Sequence, residues 1–183
     1  LVSALQVIPT LFLLIGAFSL AEIELSPIVP GANDNASGVA TVLALAEDLE
    51  REAPEHLDVW FVFTGAEKCL QEGMRSFVRA YREQLDPADT YVICVDTVGR
   101  GNVRYETSAG WVVSYEMSRR LGQLCDAIAE ADSEEDDRYG ALPLRHGLAG
   151  DAMPARLRGI ESTTIACLDE DGYVPDYHLP TDT

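Results

Sequence analysis

Three dense apolar runs, residues 57–64, 91–98 and 163–168, alternate along the chain with stretches whose apolar residues recur every three or four positions. This alternation limits the fold more than any other feature. Short runs rich in Val, Ile, Phe and Trp read as strands buried on both faces. The spaced stretches read as helices. Their inner faces are Val39, Val42, Leu43, Leu45, Ala46 and Leu49 in 37–51, and Met74, Phe77, Val78 and Tyr81 in 69–84. A third carries Met117, Leu121, Leu124, Cys125 and Ile128 in 114–130. Ser37 is placed to cap the first helix. A short strand at 103–107, a turn at 147–151 and a short helix at 152–158 complete the pattern, and the acidic run 132–137 reads as a solvated loop. Strands separated by helices form a largely parallel sheet with helices on both faces. The predicted class is α/β, a three-layer αβα arrangement around a mostly parallel mixed sheet.

Length and composition fit one globular domain: 183 residues, 47% hydrophobic and 8% aromatic. The net charge of -18 excludes nucleic acid as a partner, because phosphate binding needs basic patches. Lys68 is the single lysine beside twelve arginines, a balance that suits high salt, a GC-rich genome or a merely solubilising surface. The four cysteines, Cys69, Cys94, Cys125 and Cys167, form no CxxC pair. They read as buried free thiols, with a disulfide as the alternative, and not as a zinc site.

Residues 1–21 contain no charged side chain. About twenty such residues suffice to cross a bilayer. The expectation is a transmembrane segment at 1–21, with a signal-peptide core or a buried element of a soluble domain as alternatives. Membrane association follows only if the segment spans. Residues 22–30, with Pro27 and Pro30, read as a linker, and 31–183 as the domain itself.

Ligands of open parallel sheets bind beyond the carboxyl ends of the strands. Glu67 and Asp96 fall at such ends, and His178 lies in the loop after the last strand. Asp34 sits in a Gly- and Asn-rich turn that leads into a helix. Zinc takes imidazole and carboxylate ligands and leaves a position open for water. Asp34, Asp96 and His178 are of those types, and Glu67 would be a general base for hydrolysis. Taken singly, each has a plainer reading: a turn residue, a helix cap, a first-turn acid, a surface histidine. Their joint order carries the signal.

The chain resembles the zinc aminopeptidase family that includes bacterial leucyl aminopeptidases and is akin to glutaminyl cyclase and glutamate carboxypeptidase. Pro30-Gly31-Ala32-Asn33-Asp34-Asn35-Ala36-Ser37-Gly38 is similar to the family's Gly-Ala-x-Asp-Asn-x-Ser-Gly motif. Phe63-Thr64-Gly65-Ala66-Glu67 is similar to its strand leading to a Glu-Glu pair, and Val95-Asp96-Thr97-Val98-Gly99 to its next metal-binding strand. Gly150-Asp151 with Gly159-Ile160, and Tyr177-His178-Leu179-Pro180-Thr181-Asp182-Thr183, resemble the last two motifs. The resemblance implies a metallopeptidase-like domain at 31–183. It also implies a peptide or small amide substrate and two zinc ions, with Asp34 bridging them, Asp96 completing one site and His178 the other. Glu67 would be the catalytic base, and Asp151, Asp182 and Tyr177 would support the ligands or the substrate.

The chain departs from that pattern twice. Lys68 stands where the family has a zinc-binding Glu, with Glu67 or Glu72 as substitutes. No His precedes His56, where the family has a ligand inside His-x-Asp. Either the ligand is lost or the chain is a fragment, incomplete at both ends; the absent initiator Met favours the latter. The resemblance implies two zinc ions; one or none is the alternative for this chain. The function expected is aminopeptidase-like hydrolysis. The alternatives are a catalytically impaired peptidase-like scaffold and a single-zinc acyltransferase resembling glutaminyl cyclase.

Overall fold

A computed structural model describes residues 2–110, 113–135, 140–145 and 149–183. Helix α1 spans Val2–Leu25. Its window Leu5–Leu25 is long and apolar enough to cross a membrane, and none of it is buried against the rest of the chain. The helix also takes in residues 22–25, so the predicted linker shrinks to 26–30. Ser26 closes the helix by donating its hydroxyl to Glu22 O at 2.7 Å, and Pro27 cannot continue it.

Helices α2 (Gly38–Arg51) and α3 (Glu72–Ala80) follow, then β1 (Tyr91–Val95), β2 (Asn102–Glu106), β3 (Ser108–Ala109) and β4 (Tyr115–Glu116). Helix α4 (Arg119–Glu135), β5 (Leu142–Leu144), α5 (Ala152–Arg156) and β6 (Glu161–Leu168) complete the order. The main sheet runs β1-β6-β2-β5. β1 pairs parallel with β6, Ile93 opposite Thr163, and β2 parallel with β5, whereas β2 and β6 are antiparallel. The sheet is thus mixed with parallel pairs dominant, as predicted. β3 and β4 form a separate ribbon.

Two apolar clusters hold the helices on the sheet. Met74 and Val78 of α3 meet Ala155 of α5 and Ile160, flanked by Phe77, Leu85 and Val92. Ala109, Met117, Ala152 and Met153 form the other, beside Cys94. α5 is common to both, so the helix that begins beside Asp151 is locked to the sheet on two sides.

Several sequence expectations change. Residues 57–64 form no strand and pair with none among the described residues. Among the described residues, β1 has its ladder with β6 alone. Trp60 packs edge-on against Phe77 of α3 and Tyr81 just after it instead, while Leu57 and Phe63 stay exposed. The helix predicted at 114–130 begins at Arg119 because Tyr115 and Glu116 pair with β3. Of its inner face, Met117 and Leu121 are buried but Leu124 and Ile128 are exposed. Likewise only Val42, Ala46 and Leu49 of α2 turn partly inward; Val39, Leu43 and Leu45 face out.

Residues 132–135 are helical, not loop, because Ala and Glu sustain a helix. Positions 136 and 137 of the acidic run, and 147 and 148 of the predicted turn, lie outside the described residues. The four cysteines are free, but only Cys167 is buried and Cys69 is exposed.

Candidate active site

The turn at Ala32–Ser37 is built by side chains bonding to backbone. Gly31 enters it with a φ of 73°, a conformation that glycine adopts without strain. Asp182 reaches back from the end of the chain and accepts from Asn33 N at 2.6 Å and Asp34 N at 3.1 Å. Asn33 Oδ1 accepts from Gly99 N at 2.8 Å. Asn35 donates to Val95 O and accepts from Thr97 N, each at 3.0 Å. Its Oδ1 also accepts from Gly38 N at 3.0 Å, capping α2. The predicted cap, Ser37, makes no such bond. Its hydroxyl donates to Asn33 O and accepts from Val98 N at 3.0 Å.

Six bonds therefore stitch the Asp34 turn to the segment 95–99 and to the Asp182 carboxylate. That fastening brings Asp34 and Asp96 together although 61 residues of chain lie between them. A Cβ on Gly38 would lie 2.5 Å from Val95 O, so the contact needs glycine there. Asn33 and Asn35 escaped the sequence reading as functional residues. The signal was present, since asparagine in a turn bonds its neighbouring backbone.

From a third segment, Lys68 enters the same place. Its Nζ lies 3.1 Å from Glu67 Oε2 and 3.3 Å from Asp34 Oδ2, and donates to Tyr177 OH at 3.1 Å. Burial works against its charge. The bonds with Tyr177 and Glu67 and the charge of Asp34 outweigh that and hold the ammonium above the ordinary lysine range.

A fourth segment supplies His178, whose Nε2 is 3.2 Å from Asp34 Oδ2. Its ring stacks on Tyr177 with centres 3.7 Å apart. Asp151 accepts from the Thr64 hydroxyl. Burial, with the charge of Glu67, pushes its carboxyl up despite that bond and Lys68. Glu72 stands elsewhere. It is exposed on α3 and bound by Arg79 at 2.9 Å and Ser76 at 3.0 Å, so it is no substitute ligand.

Asp96 follows β1 directly, and its backbone N bonds Ile165 O at 3.0 Å. Its Oδ1 is buried with no hydrogen-bond partner in the protein. Burial, then the charge of Asp34, raise its carboxyl to about 6; Glu67 and Asp151 add to this and Lys68 opposes it. Glu106 on β2 was not singled out by sequence, because a lone acid in a short strand reads as solvent-facing. It is buried, and burial, opposed by the Thr164 hydroxyl and reinforced by Asp96, lifts it to about 7.

Both carboxyls hold their proton more tightly folded than unfolded. Stability from them is full below the ordinary carboxylate range and is lost as pH rises through their folded values. The metal-free protein is thus expected to melt at progressively lower temperature between pH 4.5 and about 7. Glu106→Gln should flatten the upper part of that slope. Calorimetric melts of both proteins across the window check this, and parallel slopes would refute it.

A bare buried carboxylate oxygen on Asp96, beside carboxylate and imidazole donors, fits a divalent cation by chemistry. The ammonium of Lys68 at Asp34 does not fit a second one. Among the described residues, no three His, Cys, Asp or Glu side chains are arranged to hold an ion as they stand.

Residues 19–183 match Peptidase family M28. The chain belongs to this family. Its M28 relatives include Aminopeptidase YwaD of Bacillus subtilis, 26% identical over 168 residues that make up 89% of this chain and 35% of that protein. A solved zinc aminopeptidase of Bacillus subtilis, BSAP, aligns with a TM-score of 0.67 at 25% identity, covering 86% of this chain and 38% of that one. The Legionella pneumophila LapA aminopeptidase shares the fold, with a TM-score of 0.63 at 17% identity over 87% of this chain and 41% of its own. The M28 chain described here thus spans about a third of the length of the curated relative it matches.

Proposed function

We propose that this M28 chain hydrolyses the peptide bond at the N-terminus of a peptide or small amide, as an aminopeptidase-type zinc metallopeptidase. One observation carries the reading. Separate segments deliver Asp34, Glu67, Asp96 and His178 to one neighbourhood, where a buried Asp96 oxygen is left without a protein partner.

Asp34, Asp96 and His178 would hold zinc, which when bound polarises a carbonyl and lowers the pKa of water. Glu67 takes the proton of the attacking water on its carboxylate and returns it to the departing amine. Lys68, 3.1 Å away, holds that carboxylate in place. Asp182 fixes Asp34 through the two backbone bonds, and Tyr177 fixes the face of His178 by stacking. Asp151, tied to Thr64 just before Glu67, positions the base. The surplus of carboxylates suits a substrate bearing a protonated α-amine. Helix α1 would attach the domain to a membrane or serve as a signal sequence.

A second reading, a peptidase-like scaffold without catalysis, rests on the ammonium lying 3.3 Å from Asp34. Aminoacyl-nitroanilide hydrolysis by the full 183-residue chain in detergent separates the two. Turnover that a chelator abolishes and zinc restores is the expected result. No turnover at any zinc concentration would favour the scaffold.

A further inference from the structure

Lys68 is not directed away from the acidic cluster. Its Nζ lies within 3.3 Å of Asp34 Oδ2, 3.1 Å of Glu67 Oε2 and 3.1 Å of Tyr177 OH. It also sits 5.0 Å from the centre of the Tyr177 ring, whose π face favours a cation. The same Asp34 oxygen faces His178 Nε2 at 3.2 Å. This one atom therefore already has a positive charge and an imidazole against it. A divalent ion on that oxygen would meet a full like charge at contact distance, in a partly desolvated place where charges act strongly. A buried carboxylate oxygen without a hydrogen-bond partner lies elsewhere, on Oδ1 of Asp96.

We propose that the Lys68 ammonium is a resident cation that takes the place of one metal ion of a two-metal centre, so this chain binds one divalent ion and not two. The inference rests on reading the cluster as a metal-dependent hydrolytic site. Lys68 then does electrostatically what the second ion would do for the ground state. It neutralises Asp34 and Glu67, and holds them together without occupying the Asp96 side. Tyr177 anchors it there through both its hydroxyl and its ring.

Metal counting tests this without using activity. The full chain is purified in detergent, loaded with zinc, dialysed and analysed by inductively coupled plasma mass spectrometry, with cobalt absorption spectra as a parallel reading. The parent is expected to retain about one equivalent and Lys68→Glu about two, the usual complement of a two-metal site. Lys68→Arg keeps the charge and should stay at the parent's value. If Lys68→Glu fails to fold by circular dichroism, Lys68→Gln replaces it and should bind zinc at least ~10-fold more tightly than the parent.

Two equivalents on the parent would overturn the proposal while leaving the hydrolytic reading intact. So would a folded Lys68→Glu that binds no more zinc than the parent. Zinc on neither protein would sink both readings together.

Discussion

Glu67→Gln is expected to lower hydrolysis of an aminoacyl-nitroanilide by about 10²–10⁴-fold, the usual contribution of a positioned general base. Glutamine keeps the shape of the side chain and its bond to Lys68, but it cannot take a proton. The loss should therefore fall on kcat and leave KM nearly unchanged. The melting temperature should move little, because the Glu67 side chain is part-exposed and packs in neither apolar cluster. Steady-state kinetics with a thermal melt on the same preparation would decide. A variant as active as the parent would remove Glu67 from the mechanism.

Asp182→Ala should have the largest effect on stability. The residue is 4% exposed, and its carboxylate accepts two backbone N–H groups of the Asp34 turn. Alanine leaves both donors buried without a partner, at about 1–3 kcal/mol each. The expected loss is ~2–5 kcal/mol, read as a shift of the urea midpoint at constant m value. The turn would loosen even where the sheet survives, so zinc affinity should fall in the same variant. An unchanged midpoint would mean that water replaces the carboxylate and that the turn stands without it.

Much of this was legible in the chain. The runs 91–98 and 163–168 became β1 and β6, and the helical periods at 37–51, 69–84 and 152–158 marked α2, α3 and α5. The four candidate site residues, Asp34, Glu67, Asp96 and His178, were picked out by type and order, and their roles remain proposals. What failed was pairing. Residues 57–64 have the composition of a strand, but composition does not supply a neighbour with a free edge, and the run is left unpaired among the described residues, with Trp60 against α3. Helix α4 was displaced because the same residues that fit its period, around Met117, were claimed by the β3–β4 ribbon.

The fastening of the site was not legible either. Asn33, Asn35 and Ser37 look like ordinary turn residues. Their partners at 95–99 lie some 60 positions downstream, and no local pattern points to them. The opposite case is Lys68. Its departure from the resemblance was visible in sequence, yet only coordinates show the ammonium set between two carboxylates and a tyrosine instead of turned to water.

The bond from Asn33 to Asp182 closes across 149 positions. A ribosome releases every strand of the sheet before it releases the carboxylate that shapes the Asp34 turn. During synthesis the emerging chain can collapse around its sheet before that turn is fastened. Assembly of the Asp34 turn in this way waits for Asp182, well after the last described strand, β6, has emerged.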